Sequence, residues 1–218
     1  MSGLLSSVQD VLLKQRKTKL RNLKYKNLLS YTKPSIKPFD YFVLDTPPLN
    51  DSDQTLGELK DLLFLTQNRS TSDINKLLLI DRDSLILYTA FLEKHNLVFP
   101  FKVFDRYYSI LADVVKELKL FFNRPRPNQI AEFYGYNIDV IHTDTHSTPS
   151  YPSGHTAYAK LAEMLASEYF PEYKQSFINI TKQVGLARMQ QGVHFASDNA
   201  ASILLVEKTY NKIKELIT

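Results

Sequence analysis

The feature that most constrains the fold is a run of apolar residues that recur every three or four positions between residues 103 and 122. The run contains Phe104, Tyr107, Leu111, Val114, Leu118 and Phe121. This spacing is typical of one face of an α-helix, whereas a half-buried strand places apolar residues at every second position. The run ends before Pro125, which lacks the N–H group that a helix interior needs. It therefore predicts a long helix that packs along one face.

Other segments combine the same period with helix start signals. We predict helices from Asp51 to about residue 64, from Ser70 with an interruption near Asp81, and at about 154–169, 174–190 and 197–216. The best strand candidate, 41–44, is short, and prolines between residues 34 and 48 predict an extended connector. The sequence therefore predicts an all-α fold, a single-domain helical bundle at 41–218 preceded by a basic N-terminal arm and connector at 1–40.

Composition excludes several classes of protein. The 218 residues contain no cysteine, which excludes disulfides and thiolate metal sites. No apolar run approaches the roughly 18 residues that span a bilayer, and the N-terminus does not follow the order of a secretory signal. We therefore expect a cytoplasmic protein without transmembrane segments.

The positive charge is concentrated in the leader. Residues 1–40 contain nine Lys/Arg and two Asp/Glu, so the remaining residues contain 18 against 21. Apolar residues at helical spacing precede the basic run of residues 14–26, which is typical of an amphipathic helix that contacts an anionic membrane surface or nucleic acid. Because the apolar face is short and lacks aromatic residues, we favour a solvated arm or a helix packed on a neighbouring subunit. Peripheral contact of residues 1–26 with a membrane or another anionic surface stays open, and we expect no specific nucleic acid partner.

A small motif, Tyr151-Pro152-Ser153-Gly154-His155, opens the helix predicted at 154–169. The first N–H groups of a helix are unpaired and its dipole is positive there, so a helix start can bind an anion. His155 at this position can exchange a proton with the bound group. The motif alone is equally compatible with an ordinary helix cap.

Two further segments supply cations and a second histidine. Lys119 and Arg126 flank the end of the long helix. Both cationic side chains can bind a phosphate there. Arg188 precedes His194 and Asp198, which are four residues apart, so that on one helical turn the carboxylate can orient the imidazole. Together the segments hold three cations, a helix start and two histidines, a set that is complete for phosphoryl transfer without a metal or other cofactor.

The spacing of these residues resembles the signature of the type-2 phosphatidic acid phosphatase (PAP2) superfamily. Lys119 to Arg126-Pro127, Pro152 to His155, and Arg188 to His194 to Asp198 reproduce its three internal spacings in order. Ala187 stands where the family often has serine, which removes one hydroxyl near the pocket. The flanking residues are most similar to the soluble class A bacterial acid phosphatases, and the lack of a secretory signal suggests an intracellular or virus-encoded version.

The resemblance implies a role for each matched residue. His194 would be the nucleophile that forms a phosphohistidine, Asp198 would orient it, and His155 would be the general acid and then the base for water. The phosphoryl oxygens, or a vanadate that takes their place, would be held by Lys119, Arg126, Ser153, Gly154 and Arg188. Tyr151 is the candidate substrate contact.

The leading prediction is an acid phosphatase-like phosphomonoesterase that acts on small soluble substrates, with phosphotransferase activity as a further expectation. A vanadium-dependent haloperoxidase holds vanadate with the same residue types and is the nearest alternative. A non-catalytic anion-binding or virion-associated protein is another. We expect a homodimer, and we expect the polar loop from His142 to His146 to face water or substrate rather than a metal.

Overall fold

A computed structural model describes residues 2–25, with side chains from residue 11 onward, and residues 44–217. These residues form helices and loops without a strand, which confirms the all-α prediction. The α-helices are α1 (Ser2–Arg21), α2 (Asp53–Gln67), α3 (Thr71–Arg82), α4 (Ile86–Lys94), α5 (Phe101–Phe122), α6 (Pro127–Tyr134), α7 (Gly154–Tyr169), α8 (Lys174–Gln190) and α9 (Ala196–Glu215). Residues 41–43 of the strand candidate and most of the predicted connector lie outside the described residues.

The helix ends follow the start signals in the sequence. The Ser52 side chain caps α2 by accepting a hydrogen bond from the Thr55 N–H, and Ser70 forms a reciprocal capping box with Asp73 at the start of α3. The predicted interruption near Asp81 is confirmed, since α3 ends at Arg82. The sequence reasoning missed α6, because Pro127 looked like part of an irregular exit although proline is well suited to a first helical position.

The main hydrophobic core surrounds α7, which packs on α5, α8 and α9. Many of the buried residues of α7 are alanines, among them Ala157, Ala159, Ala162 and Ala166, and these allow neighbouring helices to approach closely. The core also contains Leu111, Phe177, Val184 and Leu205, which are completely buried. This packing places the beginning of α7 beside the beginning of α9 and the end of α5.

A second, smaller cluster joins α1, α2 and α6. It contains Leu20, Leu59, Leu62, Ile130 and Phe195. The Asn50 side-chain amide, itself buried, donates to the carbonyl oxygens of Leu20 and Leu23, each at 3.0 Å. The end of α1 is therefore packed on its own chain, which differs from the solvated arm that we favoured from the sequence.

The turn between α8 and α9 depends on Gly192. Its φ is +77°, and an added Cβ atom would lie 2.8 Å from Cγ2 of Ile138. A side chain at this position would therefore meet both backbone strain and a steric clash. This turn fixes His194 relative to Arg188.

Candidate active site

The three predicted motifs meet at one end of the bundle. The Lys119 ammonium donates to the carbonyl oxygens of Pro149 (2.6 Å) and Ser150 (3.3 Å), which ties the end of α5 to the segment before α7. The Ser153 N–H donates to the Asp198 carbonyl at 3.2 Å, which joins the beginnings of α7 and α9. The predicted cluster of residues is thus a single site in space.

His194 is buried, and its hydrogen bonds determine which nitrogen is basic. Its Nδ1 lies 3.2 Å from Oδ2 of Asp198, and its Nε2 lies 3.0 Å from Nη1 of Arg126. Because a carboxylate accepts and a guanidinium donates, the proton sits on Nδ1 and the lone pair on Nε2. Burial, followed by the charge of Arg126, lowers the pKa of His194 well below its ordinary value. The lowered pKa favours the neutral imidazole, in which Nε2 is the nucleophilic atom.

Asp198 is held ionised by a dense set of donors. Burial opposes its ionisation, but the charge of Arg124 and the hydrogen bonds of His194 and Ser150 outweigh this effect and lower its pKa. Arg124 donates to Oδ1 at 2.6 Å, and the Phe195 N–H donates to Oδ2 at 2.9 Å. Arg124 is thus the ion-pair partner of Asp198.

Glu58 holds Arg124 from the other side. Its Oε2 lies 3.4 Å from the Arg124 guanidinium, and its Oε1 accepts from the Ser197 N–H at 2.9 Å. The guanidinium also lies over the Phe195 ring, 4.0 Å from its centroid. Glu58 thus links α2 to the start of α9, a role that its sequence context did not indicate.

Lys119 and Arg126 place positive charge in a buried setting. Burial, followed by the charge of Arg126, lowers the pKa of Lys119 well below its ordinary value. Arg126 donates from Nε to the Thr148 carbonyl and from Nη1 to the Val193 carbonyl, each at 2.7 Å. The positive charges of Lys119 and Arg126 repel each other, and a bound anion would relieve the repulsion.

Arg188 is completely buried near the end of α8. It donates to the Asp81 carboxylate and to the side-chain oxygen of Gln191. Its Nε–H has no hydrogen-bond acceptor among the described residues. Arg188 does not line the cavity described below, so we expect it to act on a bound anion mainly through its charge.

His155 lies at the beginning of α7, where the sequence placed it. Its Nε2 is 2.9 Å from the Asp81 carbonyl oxygen, which can only accept, so Nε2 carries a proton and Nδ1 is the atom that can exchange one. Burial, followed by the charge of Arg188, lowers the pKa of His155 to about 3. A negative ligand beside it would raise this pKa again.

Asp81, at the end of α3, is the main site residue that sequence reasoning missed. Its carboxylate pairs with Arg188 and accepts from the Thr145 hydroxyl at 2.5 Å, while its carbonyl orients His155. Burial raises its pKa, but the Thr145 hydrogen bond and the charge of Arg188 outweigh this effect and lower it to about 2. The one available signal was an acidic residue directly after the apolar run Leu77 to Ile80.

Ser153 and Tyr151 differ from their expected positions. The Ser153 N–H is committed to the Asp198 carbonyl and its hydroxyl lies 3.0 Å from that of Thr156, so Gly154 is the residue of this pair that lines the cavity. Tyr151 is only 4% exposed and donates from its hydroxyl to the Asp45 carbonyl at 2.8 Å. Burial raises the pKa of Tyr151 to about 12. In this arrangement Tyr151 supports the packing before α7 rather than facing a substrate.

A cavity of about 290 Å³ opens beside these groups. Lys119, Arg126, Gly154, His155 and His194 line its inner end. Its outer wall comes from α5 and α7 and includes Ala112, Asp113, Val115, Lys116 and Tyr158. The outer wall is therefore more polar than the core, with both signs of charge and one aromatic ring. These residues were missed because they belong to helices whose patterns indicated only packing.

The loop that contains the two remaining histidines of this region packs on itself. Nε2 of His146 lies 3.3 Å from Nδ1 of His142, and Nδ1 of His146 accepts from the Thr143 N–H at 3.2 Å. Burial lowers the pKa of His146 to about 4. Thr145 from this loop reaches Asp81 and lines the cavity, so the loop contributes to the site through a hydroxyl rather than through an imidazole.

The model of the PAP2 superfamily matches residues 107–206. This range contains the eight residues predicted to act in catalysis or phosphate binding, from Lys119 to Asp198. Residues 107–206 therefore resemble the PAP2 superfamily. Ala187, the departure from the usual motif, is 2% exposed and is part of the main core.

A crystal structure described as the first transmembrane PAP2 type phosphatidylglycerolphosphate phosphatase from Bacillus subtilis is similar to the chain in fold. The match covers 76% of this chain and 87% of the chain in that structure, with a TM-score of 0.54 and 16% sequence identity. No curated protein sequence matches the chain. The closer similarity to class A acid phosphatases stays a prediction.

Across residues 2–25 and 44–217, no helix is both long enough and apolar enough to cross a lipid bilayer.

Proposed function

We propose that the protein is a phosphomonoesterase that works through a phosphohistidine on His194 and needs no metal. The match of residues 107–206 to the PAP2 superfamily supports a phosphatase. The observation that carries the finer proposal is the neutral, oriented imidazole of His194, whose Nε2 faces buried cations at the end of a 290 Å³ cavity.

The first step transfers the phosphoryl group to the enzyme. The Nε2 lone pair of His194 forms a bond to phosphorus while the bond to the ester oxygen breaks, and the leaving oxygen takes the proton from Nδ1 of His155. The Nδ1–H of His194 stays bonded to Asp198, which stabilises the positive charge that the ring acquires.

The second step returns the enzyme to its starting state. Nδ1 of His155, now neutral, takes a proton from water, whose oxygen attacks phosphorus as the bond to His194 Nε2 breaks. An alcohol in place of water would give phosphotransferase activity. Through both steps Lys119, Arg126, Arg188 and the Gly154 N–H would neutralise the phosphoryl oxygens, a role that needs no metal ion because these charges are fixed in place.

The outer wall favours a small polar leaving group. Asp113 and Lys116 are three residues apart on α5, so both face the same side of that helix, and Tyr158 faces them from α7. Such a wall suits hydroxyl-bearing substrates better than an acyl chain, and we therefore propose soluble phosphomonoesters as the substrate class. The Tyr158 ring lies 3.6 Å from the position of a Cβ atom on Gly154, directly over the helix start.

Turnover of p-nitrophenyl phosphate by the wild type and by His194→Ala tests the proposal. We expect the variant to lose about a thousandfold or more of kcat, and we expect orthovanadate to inhibit the wild type. His95→Asn removes an imidazole that packs against Phe91 and Tyr173 outside the site, and it should keep wild-type turnover.

Rapid acid-free denaturation during turnover should also trap an alkali-stable, acid-labile phosphoryl group on the wild type but not on His194→Ala. Undiminished turnover in His194→Ala would refute the mechanism. Oxidation of bromide by peroxide in the presence of vanadate, without ester hydrolysis, would point to a haloperoxidase.

A further inference from the structure

The C-terminal half of α1, within the basic leader, has a fixed orientation on the body. Leu20 is 5% exposed within the second core cluster, and the Asn50 amide binds the carbonyl oxygens at the end of α1. Arg21 forms an ion pair with Asp51 at 2.7 Å, and Arg16 donates to the carbonyl of Phe133 on α6. The helix is therefore held at its C-terminal end, and it presents its other faces in a defined direction.

The outward faces of this helix are strongly positive. Residues 11–25 contain six Lys/Arg and no acidic residue, whereas the chain after residue 40 has more acidic than basic residues. Lys14, Lys17, Lys19 and Lys24 are exposed, and none of them forms an ion pair within the described part of the chain. We call these four lysines the basic surface.

Apolar side chains lie directly beside the basic surface. Val11, Leu12 and Leu13 are 52%, 57% and 56% exposed. They lie one to three residues before Lys14 in the chain. Part of this apolar area borders a groove against Glu132 and Phe133 of α6. Three consecutive exposed aliphatic residues are costly in water, and lysines beside them suit a boundary between water and an anionic layer.

We propose that this part of α1 docks the protein on an anionic lipid surface, with the basic surface at the headgroups and Val11 to Leu13 in the interface. Nucleic acid offers negative charge but no apolar layer, so it would leave the three aliphatic side chains in water. The lipid surface matches both features. The proposal concerns attachment and is independent of the reaction at His194.

Docking would bring the site near the surface. The Tyr25 N–H, at the end of the described leader, donates to the carbonyl of Asn123 at 3.3 Å, and Arg126 follows three residues later. The charge of Arg126 also acts on the pKa of the Tyr25 hydroxyl, although burial is the larger effect and raises it. The described part of the leader thus ends beside the phosphate-binding segment.

Flotation of the full-length chain with vesicles tests the proposal. We expect binding to phosphatidylcholine vesicles that contain 30 mol% phosphatidylglycerol, and no binding to phosphatidylcholine alone. Replacing Lys14, Lys17 and Lys24 with glutamine should weaken partitioning about a hundredfold, since each cation near an anionic surface contributes about 1 kcal/mol. Lys60, Lys94 and Lys102 are exposed lysines on other helices, and their triple glutamine variant is the matched control, which should bind as the wild type does.

A second variant separates lipid insertion from simple charge attraction. Val11→Ser combined with Leu13→Ser should remove the part of the binding that survives 0.5 M NaCl, because salt screens charge but not apolar contact. Equal melting temperatures and equal p-nitrophenyl phosphate turnover in all variants would show that the fold and the site are intact. Failure of the wild type to float, equal binding by the Lys14/Lys17/Lys24 variant, or tighter binding to a single-stranded RNA than to the vesicles would each overturn the proposal.

Discussion

His155 and His194 are two buried imidazoles that hydrogen bonds prepare for opposite roles. The Nδ1–H of His194 donates to a carboxylate, which leaves Nε2 basic, whereas the Nε2–H of His155 donates to a carbonyl oxygen, which leaves Nδ1 to exchange a proton. Both pKa values are lowered first by burial and then by neighbouring cations. Only His155 needs to be protonated for the proposed chemistry, and a bound phosphate dianion would supply the charge that favours its protonation.

Ligand binding should therefore be coupled to proton uptake. In the empty site His155 is neutral above about pH 3, and an anion in the cavity raises its pKa toward the neutral range. Calorimetric titration of orthovanadate at pH 6, in buffers of different ionisation enthalpy, should show uptake of about one proton. His155→Gln should abolish the uptake, and the same uptake in that variant would assign the proton to another group.

The same coupling shapes the pH dependence of the rate. We expect a bell-shaped profile of kcat with an acidic to neutral optimum, because the complex loses activity at high pH when His155 in the complex is deprotonated and at low pH when His194 gains a proton. Measurement of kcat between pH 4 and pH 9 tests this expectation. A flat profile over that range would contradict the assigned roles.

Asp81 affects Arg188 through charge, and its replacement should separate stability from affinity. Asp81→Asn keeps the shape and the backbone carbonyl but leaves a buried guanidinium without its carboxylate, which we expect to destabilise the fold by about 3 kcal/mol. The unopposed charge of Arg188 should at the same time tighten orthovanadate binding by about tenfold. Thermal unfolding and inhibition constants measure the two effects, and unchanged vanadate affinity would show that Asp81 does not influence the anion site.

At the scale of helices and turns, local signals in the sequence predicted most of the structure. The caps at Ser52 and Ser70, the break after Asp81 and the extents of α5, α7 and α8 could be predicted because each depends on a nearby residue type or on an apolar period. The motif residues lie close together, as expected, because each motif is at a helix end and these helix ends are neighbours in the fold. Asp81, Glu58 and Tyr158 could not be predicted, since their contacts reach residues 70 or more positions away or depend on which helices become neighbours.

The turn that carries His194 provides a test at this scale. Gly192→Ala places a Cβ atom at a φ of +77° and 2.8 Å from Ile138, so we expect it to destabilise the fold by about 2 to 4 kcal/mol. Gly57 lies within α2 with no atom near its would-be Cβ, and Gly57→Ala should instead stabilise the fold by about 0.5 to 1 kcal/mol. Chemical denaturation of both variants measures the difference. Equal effects of the two substitutions would contradict the strain assigned to the turn.

At the scale of the whole molecule, one end of the bundle concentrates most of the buried charge, and the buried pair Lys160 and Glu163 lies apart from it. Lys119, Arg124, Arg126 and Arg188 are all at most 6% exposed, and the carboxylates that they face are Asp81, Asp198 and Glu58. A packed hydrophobic core around α7 supplies the free energy that offsets the desolvation of these groups. The site is therefore the part of the fold where stability depends most on protonation and on a bound anion.

This arrangement predicts how stability changes with pH. His146 and His155 have pKa values of about 4 and about 3 in the folded chain, below the ordinary value near 6.5, so between pH 6.5 and 4 the unfolded chain binds protons that the folded chain does not. The free energy of unfolding should therefore fall as the pH is lowered through this window. Below about pH 4 it should fall further, because the lowered pKa values of Asp81 and Asp198 make the unfolded chain take up protons first.

Thermal unfolding between pH 7 and pH 4, with and without excess orthophosphate, measures this dependence. We expect the melting temperature to drop steadily toward pH 4 without the anion and to drop less with it, because phosphate in the site lets the folded chain protonate His155 as well. His155→Gln should show a shallower decline than His95→Asn, the substitution outside the site. A melting temperature that is constant over this range, or equal slopes for the two variants, would mean that the buried histidine is not what links folding to pH.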